Sequence, residues 1–135
     1  MHYQWKEDYR KQIARSGDAS DTMYRDTRYI LISGHRGMKA LYPENTLLSF
    51  SKAIEAGVDA LEMDVNMTKD LVPVVCHDLT LDRTPDGTGL IRDHTCAEIR
   101  RLDAGCKFEG GGFSGKELLV PSLEEYCALV EPFPY

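Results

Sequence analysis

Apolar residues gather in three short runs separated by polar, turn-rich stretches: Tyr29-Ile30-Leu31-Ile32-Ser33, Ala60-Leu61-Glu62-Met63-Asp64-Val65 and Leu71-Val72-Pro73-Val74-Val75-Cys76. Runs of this length predict strands buried on both faces, as in a parallel sheet. Pro73 weakens the third, because proline cannot donate to a ladder. Between the first two runs the period lengthens. Leu47, Phe50 and Ile54 share a helical face, Asn45 or Thr46 supplies the cap, and Gly57 stops the helix after Ala56. Thr95-Cys96-Ala97-Glu98 and Ser122-Leu123-Glu124-Glu125 are capping boxes. The first opens a short helix through Leu102, and the second opens one that Pro132 and Pro134 end. After Asp78 the chain is rich in Gly, Asp and Thr, which predicts a long loop over one face. Residues 1–28 are polar, with Trp5, Tyr9 and Ile13 at every fourth position, and predict an N-terminal extension with one short helix packed on the main body.

The order strand, helix, strand, strand, then helices predicts an α/β chain with parallel βα architecture. Polar residues cluster where strands end: His35 after the first, Glu62 and Asp64 late in the second, His77-Asp78 after the third. Chemistry gathered at the carboxyl ends of parallel strands points to a TIM (β/α)8 barrel. Such a barrel takes roughly 250 residues, more than the 135 here. The expectation is the N-terminal part of a barrel, truncated, spanning residues 29–135.

Net charge of −6 argues against a general nucleic-acid binder, which needs clustered Lys and Arg. No apolar run approaches the roughly 20 residues that cross a bilayer. The N-terminus MHYQWKEDYRKQ lacks the apolar core of a secretory signal. Cys76, Cys96, Cys106 and Cys127 are scattered without zinc-like spacing, as expected of reduced thiols in a cytoplasmic protein.

Glu62 and Asp64, two apart on a predicted strand, point to one face. Paired acids in an apolar strand repel unless a cation lies between them, and carboxylate oxygens suit Mg²⁺ or Ca²⁺. The plainer alternative, a solvated edge with two surface acids, fits poorly with flanking Leu61, Met63 and Val65. Arg36, beside His35 and between Gly34 and Gly37, offers a planar fork to phosphate oxygens. Either His35 or His77 alone reads as a structural histidine; together, flanking a metal pair, they suit general acid–base work. His2 and His94 lie in polar surroundings and carry no assigned role. One metal, one arginine and two histidines read as metal-assisted phosphodiester cleavage.

In this order, His35-Arg36-Gly37, Pro43-Glu44-Asn45-Thr46, Glu62-x-Asp64, His77-Asp78 with Leu81, Arg83-Thr84, Gly87-x-Gly89 and Pro121-Ser122-Leu123-Glu124-Glu125 closely resemble the glycerophosphodiester phosphodiesterase family. Sphingomyelinase D-type enzymes share a similar histidine-and-acid layout, but the Pro-Glu-Asn-Thr and Arg83-to-Gly89 stretches favour the former. The resemblance implies a TIM barrel with a cap-like insertion at about 79–116, and hydrolysis of glycerophosphodiesters to glycerol 3-phosphate and an alcohol. It implies one divalent metal, Mg²⁺ or Ca²⁺, on Glu62 and Asp64, with His35 as base and His77 as acid. The family's third carboxylate ligand and a nearby lysine are expected beyond Tyr135. The alternative is therefore a non-catalytic fragment or pseudoenzyme that binds a phosphorylated ligand or a partner. Open barrel edges also predict self-association.

Overall fold

The structure, a computed structural model, describes residues 31–110, 112–113 and 118–133. The predicted helix around Trp5, Tyr9 and Ile13, and Tyr29 and Ile30 of the first predicted strand, lie outside the described residues. Strand β1 (Ser33–His35) pairs in parallel with β2 (Ala60–Glu62), His35 opposite Glu62. Helix α1 (Leu47–Ala56) is the crossover that a parallel pair requires. Its ends are those the sequence predicts. The Thr46 side chain accepts from the Ser49 backbone N–H, and Gly57, in the left-handed region (φ 77°), donates to the Ala53 and Ile54 carbonyls. The buried face is Ser49, Phe50 and Ala53, rotated slightly from the predicted Leu47, Phe50 and Ile54.

The second and third predicted strands need correction. The second stops at Glu62, and Val65 instead opens β3 (Val65–Met67). The third is β4 (Pro73–Val75), which pairs antiparallel with β3, Val65 opposite Val75 and Met67 opposite Pro73. The intervening residues give the reason. Thr68 Oγ1 accepts from the Val72 N–H at 3.0 Å and donates to the Val72 carbonyl, while the Leu71 N–H bonds the Thr68 carbonyl with Leu71 at φ 61°. This closed turn sends the chain straight back, whereas a parallel connection needs a dozen or more residues. Pro73 is the first residue of its strand, a position where a missing donor is tolerated. Burial on both faces also fails in part: Ile32, just before β1, is 60% exposed, and Met67 of β3 is 50% exposed. Among the described residues, β1 and β3 each have a single strand partner.

β4 divides the interior. Val74, with Cys76 just beyond, faces a cluster of Leu81, Ile91, Ile99, Ala104 and Val120. Val75 faces the other way, onto Phe50 and Tyr126, whose rings meet edge to face at 4.8 Å. Helix α2 (Cys96–Ile99) opens with the predicted capping box and is shorter than predicted. Helix α3 (Leu123–Val130) opens with the other, the Ser122 side chain accepting from Glu125 N–H while the Glu125 carboxylate accepts from Ser122 N–H. Ser122 forms an antiparallel bridge with Val74, and the Val75 N–H donates to the Pro121 carbonyl at 2.8 Å. The Gly- and Asp-rich stretch after Asp78 thus supplies much of one core cluster. Cys76, in that cluster, is a buried free thiol.

Candidate active site

β1 ends on His35, and the chain turns through Arg36 (φ 56°) and Gly37 (φ 81°). A Cβ at Gly37 would lie 2.5 Å from Ser49 Oγ, so glycine is required where this turn meets the start of α1. Arg36 has no such excuse, and holding a non-glycine residue there costs about 1–3 kcal/mol. The surroundings fix it. The Arg36 N–H donates to both the Glu62 carbonyl and Glu62 Oε2, each at 3.0 Å, and its carbonyl accepts from the Asn45 N–H at 3.1 Å. Asn45, also left-handed (φ 57°), donates its side-chain amide to Asp64 Oδ2 at 3.0 Å. Strain is concentrated where the polar side chains converge.

From there a line of charge contacts runs to the end of β4. Arg36 Nη1 donates to Glu44 Oε1 at 3.1 Å, and Arg83 Nη2 reaches the same oxygen at 2.7 Å. Arg83 forks onto Asp78, Nε to Oδ2 at 2.6 Å and Nη2 to Oδ1 at 3.1 Å. Asp78 Oδ1 lies 2.5 Å from His77 Nδ1. Arg83, and after it His77, hold the Asp78 carboxyl down at about 2. An ionised carboxylate only accepts, so His77 Nδ1 carries the hydrogen and Nε2 is left to exchange a proton. Burial works to raise the Glu44 carboxyl, but Arg83 and Arg36 outweigh it and the net shift is downward. Glu44 and then Asp78 push the Arg83 guanidinium up.

At the other end, His35 Nε2 lies 3.6 Å from Glu62 Oε2. Both histidines are accessible, 53% and 40% by side chain. Arg36 Nε sits 3.2 Å from Asp64 Oδ2, yet the direction is wrong for a hydrogen bond and this N–H is buried without a partner. A donor left unmade in that way costs about 1–3 kcal/mol.

The predicted His35, Arg36, Glu62 and Asp64 therefore come together, and His77 joins them through Asp78, Arg83 and Glu44. Asp64 lies outside β2, so it does not share a strand face with Glu62 as predicted; Asn45 brings it in. His94 instead contacts the Thr88 carbonyl at 3.1 Å, and His2 lies outside the described residues. Asn45 was legible as a cap candidate and Asp78 as a strand-end residue, but Glu44 and Arg83 only as letters of a motif, since their contact, 39 residues apart, has no local signal. Among the described residues no three His, Cys, Asp or Glu side chains group as a metal cage. Glu62 Oε1 and Asp64 Oδ1 take no part in these contacts. Two carboxylates suit a hard divalent ion that keeps waters and takes substrate phosphate oxygens as its other ligands.

A parallel strand pair, joined through a helix and carrying histidine, arginine and carboxylates at its carboxyl ends, is the α/β arrangement that a barrel repeats. The sequence profile of the glycerophosphoryl diester phosphodiesterase family matches residues 35–133. The chain belongs to that family. It is 46% identical over 100 residues to a glycerophosphodiester phosphodiesterase of Caldanaerobacter subterraneus subsp. tengcongensis, covering 74% of this chain and 40% of that protein. Among solved structures it is similar to the glycerophosphodiester phosphodiesterase of Agrobacterium tumefaciens, with TM-score 0.70, 38% identity, and coverage of 77% of this chain and 44% of that one. A phosphodiesterase of Oleispira antarctica, solved in complex with the product sn-glycerol-3-phosphate, matches with TM-score 0.68 and 34% identity over 78% of this chain and 42% of that one. The fold is the N-terminal part of a TIM (β/α)8 barrel, and the chain spans about 40% of the length of the first curated relative.

Proposed function

We propose that this site serves metal-assisted hydrolysis of a glycerophosphodiester to glycerol 3-phosphate and an alcohol. The unbroken line of contacts from His35 through Glu62, Arg36, Glu44, Arg83 and Asp78 to His77 carries the proposal. It links two solvent-accessible histidines across an acid pair. Glu62 and Asp64 would hold one divalent ion, Mg²⁺ or Ca²⁺, which when bound neutralises phosphate charge and polarises phosphorus. Arg36, whose guanidinium lies between Glu44 and Asp64, supplies positive charge beside a phosphate held there. His35 takes the proton of the substrate's glycerol 2-hydroxyl as that oxygen bonds to phosphorus. His77 Nε2 gives its proton to the departing alkoxide as the phosphorus–oxygen bond to the alcohol breaks, with Asp78 holding the ring. Water then opens the cyclic phosphate to glycerol 3-phosphate. The Oleispira antarctica relative, solved with that product, supports the substrate class.

A coupled assay for glycerol 3-phosphate release from glycerophosphocholine, with and without Mg²⁺ or Ca²⁺, tests this. His35→Ala and His77→Ala should each lower the rate roughly 10²- to 10⁴-fold. An active protein that loses less than tenfold at His77 removes it from the acid role. A second possibility, motivated by two carboxylates at the site without a third among the described residues, is a non-catalytic member that binds a phosphorylated ligand or a partner. Calorimetric titration with Ca²⁺ and glycerol 3-phosphate separates the two: tight binding without turnover supports the second, and turnover rejects it. Exposed Ile32, Val65 and Met67 on or beside strands support self-association, which light scattering on a sizing column would read. Four scattered free cysteines support a cytoplasmic setting; no helix among the described residues is long and apolar enough to cross a membrane.

A further inference from the structure

Asn45 stands just before α1 and has the side chain of a helix cap, yet Thr46 does the capping. Its amide is spent on Asp64 instead, 19 residues along the chain. Nδ2 donates to Asp64 Oδ2 at 3.0 Å, and Oδ1 accepts from the Asp64 backbone N–H at 3.4 Å. We propose that Asn45 is a positioning residue of the metal site, which ties up Asp64 Oδ2, leaves Oδ1 as a single-oxygen ligand and so tilts the site toward Mg²⁺ and away from Ca²⁺. The proposal rests on the metal-assisted reading argued above.

Burial, backbone and charge agree. Asn45 is 4% exposed, and a polar side chain that deep is kept where its donors and acceptors are met. Its left-handed backbone (φ 57°) is a conformation that costs free energy outside glycine, and it is held by the N–H bond to the Arg36 carbonyl. The oxygen that Asn45 takes is also the one facing Arg36, whose Nε lies 3.2 Å from it. Asp64 Oδ2 thus meets an amide donor and a guanidinium, both competitors of a metal ion, while Oδ1 takes no part in these contacts.

Glu62 is treated alike. Its Oε2 accepts from the Arg36 N–H at 3.0 Å, so each acid has one oxygen committed to a left-handed residue of the turn after β1. The ion preference follows from size. Mg²⁺ demands near-octahedral geometry, keeps several waters and is satisfied by one or two carboxylates. Ca²⁺ is larger, gathers about six to eight oxygens and gains from carboxylates that bind through both of theirs. A carboxylate with one oxygen withheld meets the first demand and not the second. Freeing Asp64 Oδ2 would therefore help Ca²⁺ more than Mg²⁺, while loosening the side chain for both.

Calorimetric titration of the chain with Mg²⁺ and, separately, with Ca²⁺ reads both affinities. Asn45→Gly is the suitable variant, because glycine takes this backbone without strain and keeps the N–H that the Arg36 carbonyl accepts. It should lower Mg²⁺ affinity about tenfold, the scale of losing a group that orients a metal ligand. Ca²⁺ affinity should fall less, so the ratio of the two shifts toward Ca²⁺. NMR of the Asn45 side-chain amide in the unaltered chain gives a reading that does not depend on the variant's folding. Its protons should stay in slow exchange with solvent when Mg²⁺ is added, because Oδ2 is not surrendered. An unchanged ratio in folded Asn45→Gly, a ratio shifted toward Mg²⁺, or an Asn45 amide released by Mg²⁺ overturns the proposal and leaves the metal-assisted reading standing. Binding of neither ion by the unaltered chain overturns both.

Discussion

Val74 and Val75 are neighbours on β4, yet they bury into different interiors. Val75 meets Phe50 and Tyr126, side chains from two capped helices. Val74 meets Leu81, Ile91, Ile99 and Ala104, from a stretch with little regular structure. A strand alternates faces residue by residue, so one short strand can be the wall between two cores built by different rules. On the helix side, periodic sequence makes elements whose apolar faces then find each other. On the other side, single apolar residues are delivered one at a time by turns and bridges, such as Thr80 to Leu90 and Asp103 to Leu119.

Emptying each core in turn tests whether they are separate. Phe50→Ala should cost about 3–5 kcal/mol and Ile99→Ala about 2–5 kcal/mol by denaturant unfolding. Hydrogen exchange sharpens the contrast. Phe50→Ala should speed exchange in α1 and α3, and Ile99→Ala should speed it between residues 91 and 104; identical patterns would mean a single core. A smaller effect is expected at Ser122, which caps α3 and bridges Val74 and so touches both sides. Ser122→Ala should lose about 0.5–2 kcal/mol, with protection falling at α3 and at Val74 alike. The smallest concerns acid. Asp78 follows the strand on the Val74 side, and Arg83 first, then His77, hold its carboxyl at about 2, below the usual 3.8. A group depressed on folding stabilises above its unfolded value and loses that stabilisation as pH falls through its folded one. Stability should therefore decline between about pH 4 and 2, and Asp78→Asn should lessen that decline; an unchanged acid profile would place the charge contact elsewhere.

The helix-side core was the legible one. Thr46 and Gly57 announce α1, and the capping boxes at Thr95 and Ser122 announce two helix starts, because caps are local chemistry within four residues. His35, Glu62 and His77 were legible as strand-end residues for the same reason. The hairpin joining β3 to β4 was not, since Thr68 and Leu71 form no familiar glycine turn and the apolar runs beside them suit parallel strands equally well. Ile99 is announced only through the cap at Thr95, while Leu81 and Ile91 fit neither a period of 2 nor of 3.6, so composition reads their stretch as a loop. Arg83 shares this fate. Its partners Glu44 and Asp78 become neighbours only after β4 and the following turn have been placed.

Cys76 gives the two-core arrangement a chemical clock. Its thiol lies in the Val74-side cluster at 4% exposure, and burial pushes it up to about 11. Only the thiolate reacts with an alkylating reagent. Exposed Cys106 and Cys127 should be modified promptly, while Cys76 waits for its cluster to part. The lag before the last thiol is modified then times the opening of one core, and because Val75 alone belongs to the other, that lag should lengthen or shorten without α1 releasing its amides.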